Sequence, residues 1–192
     1  MKIQLSLTKL GYYYSDIDGK LNGFETREAV KSMNIALSNG NAMFLDQRSR
    51  EILVYLADLY RFNDILLSNI DDKKSANIKI QTALKILGCY HGKIDGLLGK
   101  DTKNCITEFE KNNNMDANGE LDKREKYTLF RMAVEVNNRS IDDTKKELYK
   151  KVNQQAAKIQ KLSGPADKSA DKSITQKLKK PESDLEFSDS LE

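Results

Sequence analysis

The chain has 192 residues, 32% of them charged, and a formal net charge of +3. Both charge signs are mixed along most of its length, so composition lacks the basic balance that points toward nucleic acid. No stretch approaches the ~20 consecutive apolar residues of a membrane span, and the N-terminus carries no apolar run ending in a cleavage site.

Ile3, Leu7 and Leu10 recur at three- and four-residue spacing and predict a short amphipathic helix at the start. Gly11 follows at once, where a left-handed C-terminal cap suits glycine. An aromatic loop, Tyr12-Tyr13-Tyr14, then runs to Ile17-Asp18-Gly19, whose Asp-Gly pair is turn chemistry. A second helix is expected from Thr26, with the threonine hydroxyl as its cap. After a polar turn at residues 38–41, a third helix carries Ile52, Leu53, Leu56 and Leu59. Residues 61–76 are apolar enough to pack, and are expected to hold their flanks at a fixed angle.

The same order of elements then returns. Residues 2–21, KIQLSLTKLGYYYSDIDGKL, reappear at 79–98 as KIQTALKILGCYHGKIDGLL, with 11 of 20 positions identical at an offset of 77. Beyond Gly19 the offset becomes 76, pairing Thr26 with Thr102, Met33 with Phe109 and Leu45 with Leu121, so the extra residue sits in a loop. The second copy has Cys89-Tyr90-His91 as its aromatic loop, Ile94-Asp95-Gly96 as its turn, a polar turn at 112–119, and Tyr127, Leu129, Phe130 and Ala133 on its third helix. Units of about 55 to 60 residues are marginal alone, so the two are expected to pack on each other or on the helix between them.

Past Met132 the composition turns polar. Residues 133–162 read as a helix with a thin apolar stripe of Leu148, Val152, Ile159 and Leu162, too weak for a strong coiled coil. Its part from Arg139 to Lys161 has seven bases against three acids, the pattern of a solvated face. From Ser163 the chain is rich in Ser, Lys, Asp and Glu and holds both prolines, which predicts disorder. The last twelve residues, PESDLEFSDSLE, contain five acids and no base.

The run IQTALKILGCYHGKIDGLLGKDTKNCITEFEKNN resembles the three-helix peptidoglycan-binding-like domain, whose pattern reads IQ, L, LG, Y, G, IDG, G, T, AV and FQ. Such modules are commonly appended to cell-wall hydrolases and other envelope proteins. The second copy matches at Ile80-Gln81, Leu84, Leu87-Gly88, Tyr90, Gly92, Ile94-Asp95-Gly96, Gly99, Thr102 and Phe109. The first copy departs at Ser15 and Asn22, where the family has glycine, and at Met33-Asn34, where it has FQ. The resemblance implies an all-α fold of two tandem three-helix modules, the first degenerate, with a connecting helix, a polar C-terminal helix and a disordered tail. The boundaries are 1–60, 61–76, 77–132, 133–162 and 163–192.

The resemblance further implies a non-catalytic peptidoglycan-binding protein that anchors itself or a partner to the bacterial cell wall. Ligand contact is expected from the aromatic loops and turns: Tyr90, His91 and Asp95 in the second copy, and Tyr13, Tyr14 and Asp18 in the first. Of these, Tyr13 and Tyr90 also suit core packing and the two aspartates suit turn bonding, which leaves Tyr14 and His91 as the exposed contacts. Cys89 and Cys105 are read as reduced, packed thiols, with a disulfide open to an exported protein. With His91 they are one short of a structural zinc site, and no nucleophile and base pair is evident, so neither cofactor nor metal is expected. The alternative is a protein-protein adaptor using the C-terminal helix or tail. The acidic tail with Leu185, Phe187 and Leu191 resembles C-terminal signals of leaderless type IV export. The compartment stays open between the cytoplasm, leaderless export, and the cell envelope if a leader has been removed.

Overall fold

The computed structural model describes residues 1–37, 40–69 and 72–162, with side chains described up to residue 150. The expectations of disorder, an acidic tail and an export signal all fall at 163–192, outside the described residues, as do the side chains of Val152, Ile159 and Leu162. The described chain is all-α, with six helices: α1 Lys2–Lys9, α2 Phe24–Ala36, α3 Gln47–Leu67, α4 Lys73–Ile86, α5 Lys100–Asn112 and α6 Lys123–Leu162.

The helices start where the local chemistry satisfies their free N–H groups. Asp46 accepts from Ser49 N at 2.8 Å and Asp72 from Ser75 N at 2.9 Å. Asp122 and Glu125 form a reciprocal capping box, each carboxylate taking the other's N–H. The threonine caps expected for α2 and α5 are not there. Gly23 and Gly99 occupy the cap positions without a side-chain bond, and Thr26 and Thr102 lie one turn inside, buried. Gly11 and Gly88 do take the left-handed conformation after α1 and α4, at φ +82° and +89°.

Two apolar clusters form. Ile3 and Leu7 of α1, Ala29, Val30 and Met33 of α2, and Ile52, Leu53, Leu56 and Leu59 of α3 build the first. Ile80, Ala83 and Leu84 of α4, Cys105, Ile106 and Phe109 of α5, and Leu129 and Ala133 of α6 build the second. Tyr127, expected among them, is 70% exposed.

Two long helices tie the clusters together. α3 does not stop near residue 60 but runs on to Leu67, and places Leu66 in the second cluster. Likewise α6 is one helix of 40 residues that carries both the third helix of the second repeat and the polar segment after it. It returns along α3, so that Ile141 and Leu148 complete the first cluster. Between the two, buried Asn137 donates to Leu59 O and Asn63 Oδ1, both at 2.9 Å, and Arg48 pairs with Glu147. The face expected to be solvated is therefore in part an internal seam.

The cysteines are also corrected. Cys89 and Cys105 are joined as a disulfide, stapling the loop after α4 to the middle of α5, rather than packed as separate thiols. Glu108 Oε2 lies 3.3 Å from Cys89 Sγ.

Candidate functional site

The site is built on a glutamine in each half of the chain. Gln4 on α1 and Gln81 on α4 point inward among apolar neighbours and have no exposed surface. A buried amide must find partners, and each finds them in the loop that follows its helix. Gln4 Oε1 accepts from Gly19 N at 2.7 Å, while its Nε2 reaches Tyr13 Oη, Asp18 Oδ1 and Thr26 Oγ1 at 3.1, 2.8 and 3.1 Å. Gln81 Oε1 accepts from Asp95 N and Gly96 N at 3.0 and 2.8 Å, and its Nε2 reaches Tyr90 Oη, Asp95 Oδ1 and Leu97 O at 3.3, 3.1 and 2.9 Å.

The partners close on one another. Tyr13 donates to Asp16 O at 2.6 Å and Tyr90 to Lys93 O at 2.8 Å. Asp18 accepts from Lys20 N and Asp95 from Leu97 N, both at 2.9 Å. The Gln4 amide, then the Lys20 N–H, holds the Asp18 carboxyl below its ordinary pKa; for Asp95 the Leu97 N–H leads and Gln81 follows. Four of the six expected contact residues, Tyr13, Asp18, Tyr90 and Asp95, thus form a clasp that fixes each loop, with both tyrosine rings buried. The other two face solvent. Tyr14 is 87% exposed, its hydroxyl bonded to Gly11 O, and His91 is exposed. Gly92 serves this clasp as well, because a Cβ there would stand 2.6 Å from the Tyr90 hydroxyl.

Beside the second clasp opens a groove of about 740 Å³. Its floor is apolar, from Ile80, Ile106 and Leu121, and the Gly96–Leu98 turn forms one wall. Lys73, Lys103 and Lys126 stand at its edge, from the first turns of α4, α5 and α6. Cations there oppose the helix macrodipole, which favours negative charge at an N-terminus. Glu120 is the one acid in the lining, 3.9 Å from Lys103, and among the described residues neither Lys73 nor Lys126 has an acidic partner. Three helix starts and an excess of two positive charges make the groove receptive to an anion with an apolar neighbour.

The sequence reading missed these lysines and both glutamines. The available signal was a lysine within the first four residues of three successive helices, against the dipole rule. Among the described residues no three His, Cys, Asp or Glu side chains gather as metal ligands, and no helix is long and apolar enough to cross a membrane.

Residues 74–129 match the family model described as "Putative peptidoglycan binding domain", which supports a peptidoglycan-binding-like domain over that span. The match covers less than a third of the chain, and it contains nearly all of the groove's lining, Lys73 lying just outside. No curated protein and no solved structure matches the chain.

Proposed function

We propose that this protein binds peptidoglycan without cleaving it, holding itself or a partner at a bacterial cell wall, with the groove of the second half as the binding site. The observation that carries this reading is the groove's position inside the span that matches the family model, with an apolar floor and three lysines at its edge. Peptidoglycan offers the complement: short peptides with free carboxylates and methyl side chains on an amino-sugar strand. The groove's size falls within the roughly 300–1,000 Å³ usual for ligand pockets. His91, exposed on the aromatic loop, is the proposed stacking partner for a sugar ring, with Tyr14 its counterpart in the first half.

We also read the first half as a second, divergent copy of the module, because the bonds of the glutamine to the tyrosine hydroxyl, the aspartate and the glycine N–H recur there around Gln4, Tyr13, Asp18 and Gly19. No nucleophile is held against a base in either clasp, and the polar atoms of both are engaged in fixing the loops.

The test is cosedimentation of the full chain with purified sacculi. Wild type pellets with the sacculi and releases no soluble sugar, and the folded Lys103→Glu/Lys126→Glu variant stays in the supernatant. A wild type that does not pellet would remove the reading and bring forward a protein-protein adaptor. Release of soluble fragments would make the protein a hydrolase.

A further inference from the structure

The first half has a groove in the corresponding place, lined by Ile3, Leu21, Asn22, Val30 and Leu45, where the second has Ile80, Leu97, Leu98, Ile106 and Leu121; Thr26 lines the first groove alone. Its volume is about 180 Å³. Two further lining residues are cationic: Arg27, the fourth residue of α2, stands where Lys103 is the fourth of α5, and Arg50, the fourth of α3, stands where Lys126 is the fourth of α6. Both oppose their helix dipoles, as the lysines do. The position of Glu120, the one acid of the larger groove, is taken by Phe44, which is 76% exposed.

Among the described residues no acid lines this groove. Neither arginine pairs with a carboxylate among those residues, and Arg27 Nη2 meets only the weak acceptor Met43 Sδ, at 3.6 Å. Arginine presents a planar fork that matches a carboxylate with two parallel bonds. A slot of this size lies below the usual range for whole small-molecule ligands, so it suits the end of a peptide rather than a sugar ring. Phe44 and Leu21 offer apolar surface for small side chains beside the guanidinium groups.

We infer that the first half carries a second binding site, specific for the free C-terminal carboxylate of a short peptide, in which Arg27 and Arg50 take the carboxylate and Phe44 covers the adjacent methyl groups. The inference rests on reading the second groove as the ligand site, since the shared positions give the first groove its role. It gives the first copy, read from the sequence as degenerate, a ligand site away from its aromatic loop. Because Ile141 and Leu148 of α6 belong to the first core and Leu129 and Ala133 to the second, the two sites are held on one framework. A polymer with repeated peptide ends would then be bound at two points, with the gain that linked sites confer.

The experiment titrates the ¹⁵N-labelled full chain with the dipeptide D-Ala-D-Ala, with its C-terminal amide, and with inorganic phosphate. The expected result is a shift of the Arg27, Phe44 and Arg50 amides and of the Lys103 and Lys126 amides by the free dipeptide alone. Arg27→Gln/Arg50→Gln should abolish the first set and leave the second. Shifts confined to the Lys103 and Lys126 amides would overturn the inference and leave the proposed function standing. Equal shifts at Arg27 and Arg50 from the amide or from phosphate would overturn carboxylate-peptide specificity. If neither groove responds while sacculi still pellet the chain, the inference fails and the wall-binding reading survives. If both grooves respond but sacculi are not bound, the inference holds and the wall-binding reading fails.

Discussion

Set side by side, the two grooves share their floor and differ at their mouths. Met43 and Phe44 stand in the first where Gly119 and Glu120 stand in the second, and the volume is about 180 against 740 Å³. The larger groove gains a wall from Lys73, Ala76 and Asn77, at the start of α4, where Asn77 Nδ2 donates to Gly96 O at 2.9 Å; among the described residues the lining of the smaller groove includes none from such a wall. The clasps, by contrast, share glutamine, tyrosine, aspartate and the N–H of a left-handed glycine, and differ in a further acceptor, Thr26 Oγ1 in the first and Leu97 O in the second. What recurs is what the loop needs to fold. What varies is the surface a ligand would meet.

The sharpest way to break this comparison is to remove a glutamine. Gln81→Leu would leave the N–H groups of Asp95 and Gly96 and the carbonyl of Leu97 without their partner, each such loss costing ~1–3 kcal/mol when buried. We expect about 4 kcal/mol in a urea unfolding experiment, and a similar loss for Gln4→Leu. Lys103→Gln and Arg27→Gln should stay within about 0.5 kcal/mol of wild type, as surface substitutions do. A glutamine variant as stable as the lysine variant would show that the clasp does not hold the loop.

That ordering also explains what could be read from the amino-acid string. Apolar spacing exposed the cores, because Ile3, Leu7, Ile52, Leu53, Leu56 and Leu84 lie on one face of their helices and are buried there. The clasp glutamines were visible as residues but not as keystones: a polar side chain on an apolar face declares its partners only once the loop is folded over it. Counting columns also misassigned a glycine. Asn22 seemed to replace Gly99, yet Gly23 is the residue at the corresponding helix start, since the extra residue falls before it. The docking of α6 on the first half was hidden for another reason. Ile141 and Leu148 are only two apolar positions, and the seam between them and α3 is closed by Asn137, Asn63 and the Arg48–Glu147 pair, all of which read as surface.

A second difference lies in covalent structure. Only the second half has a disulfide; Tyr12 and Ala29 occupy the corresponding places in the first. The sequence separation of 16 residues closes a loop for which chain entropy predicts about 3 kcal/mol. Reduction should lower the melting temperature and raise amide exchange first in α4 and α5, leaving α1 and α2 less affected. The Cys89→Ser/Cys105→Ser variant should melt at the lower temperature and ignore reductant. Equal loosening of α1 and α2 on reduction would mean that the two cores unfold as one unit, through the shared helices α3 and α6.

The smallest expected effect separates the aspartates from the ligand. Both carboxyls lie below the ordinary value of 3.8 in the folded chain, Asp18 chiefly through the Gln4 amide and Asp95 chiefly through the Leu97 N–H. A folded pKa below the unfolded one means that the unfolded chain takes up protons first as pH falls. The stabilisation is therefore complete above the ordinary value and is lost as pH drops through the lowered one. Asparagine keeps the Oδ1 acceptor facing Gln81 Nε2 and Leu97 N but does not titrate, so Asp18→Asn/Asp95→Asn should melt slightly lower than wild type at neutral pH and decline less steeply below about pH 4. Melting temperature measured between about pH 2 and 6 reads the difference. An acid limb unchanged in the double variant would place the acid sensitivity elsewhere, while a variant that stays folded and loses sacculus binding at neutral pH would return the two aspartates to the ligand rather than to the turn.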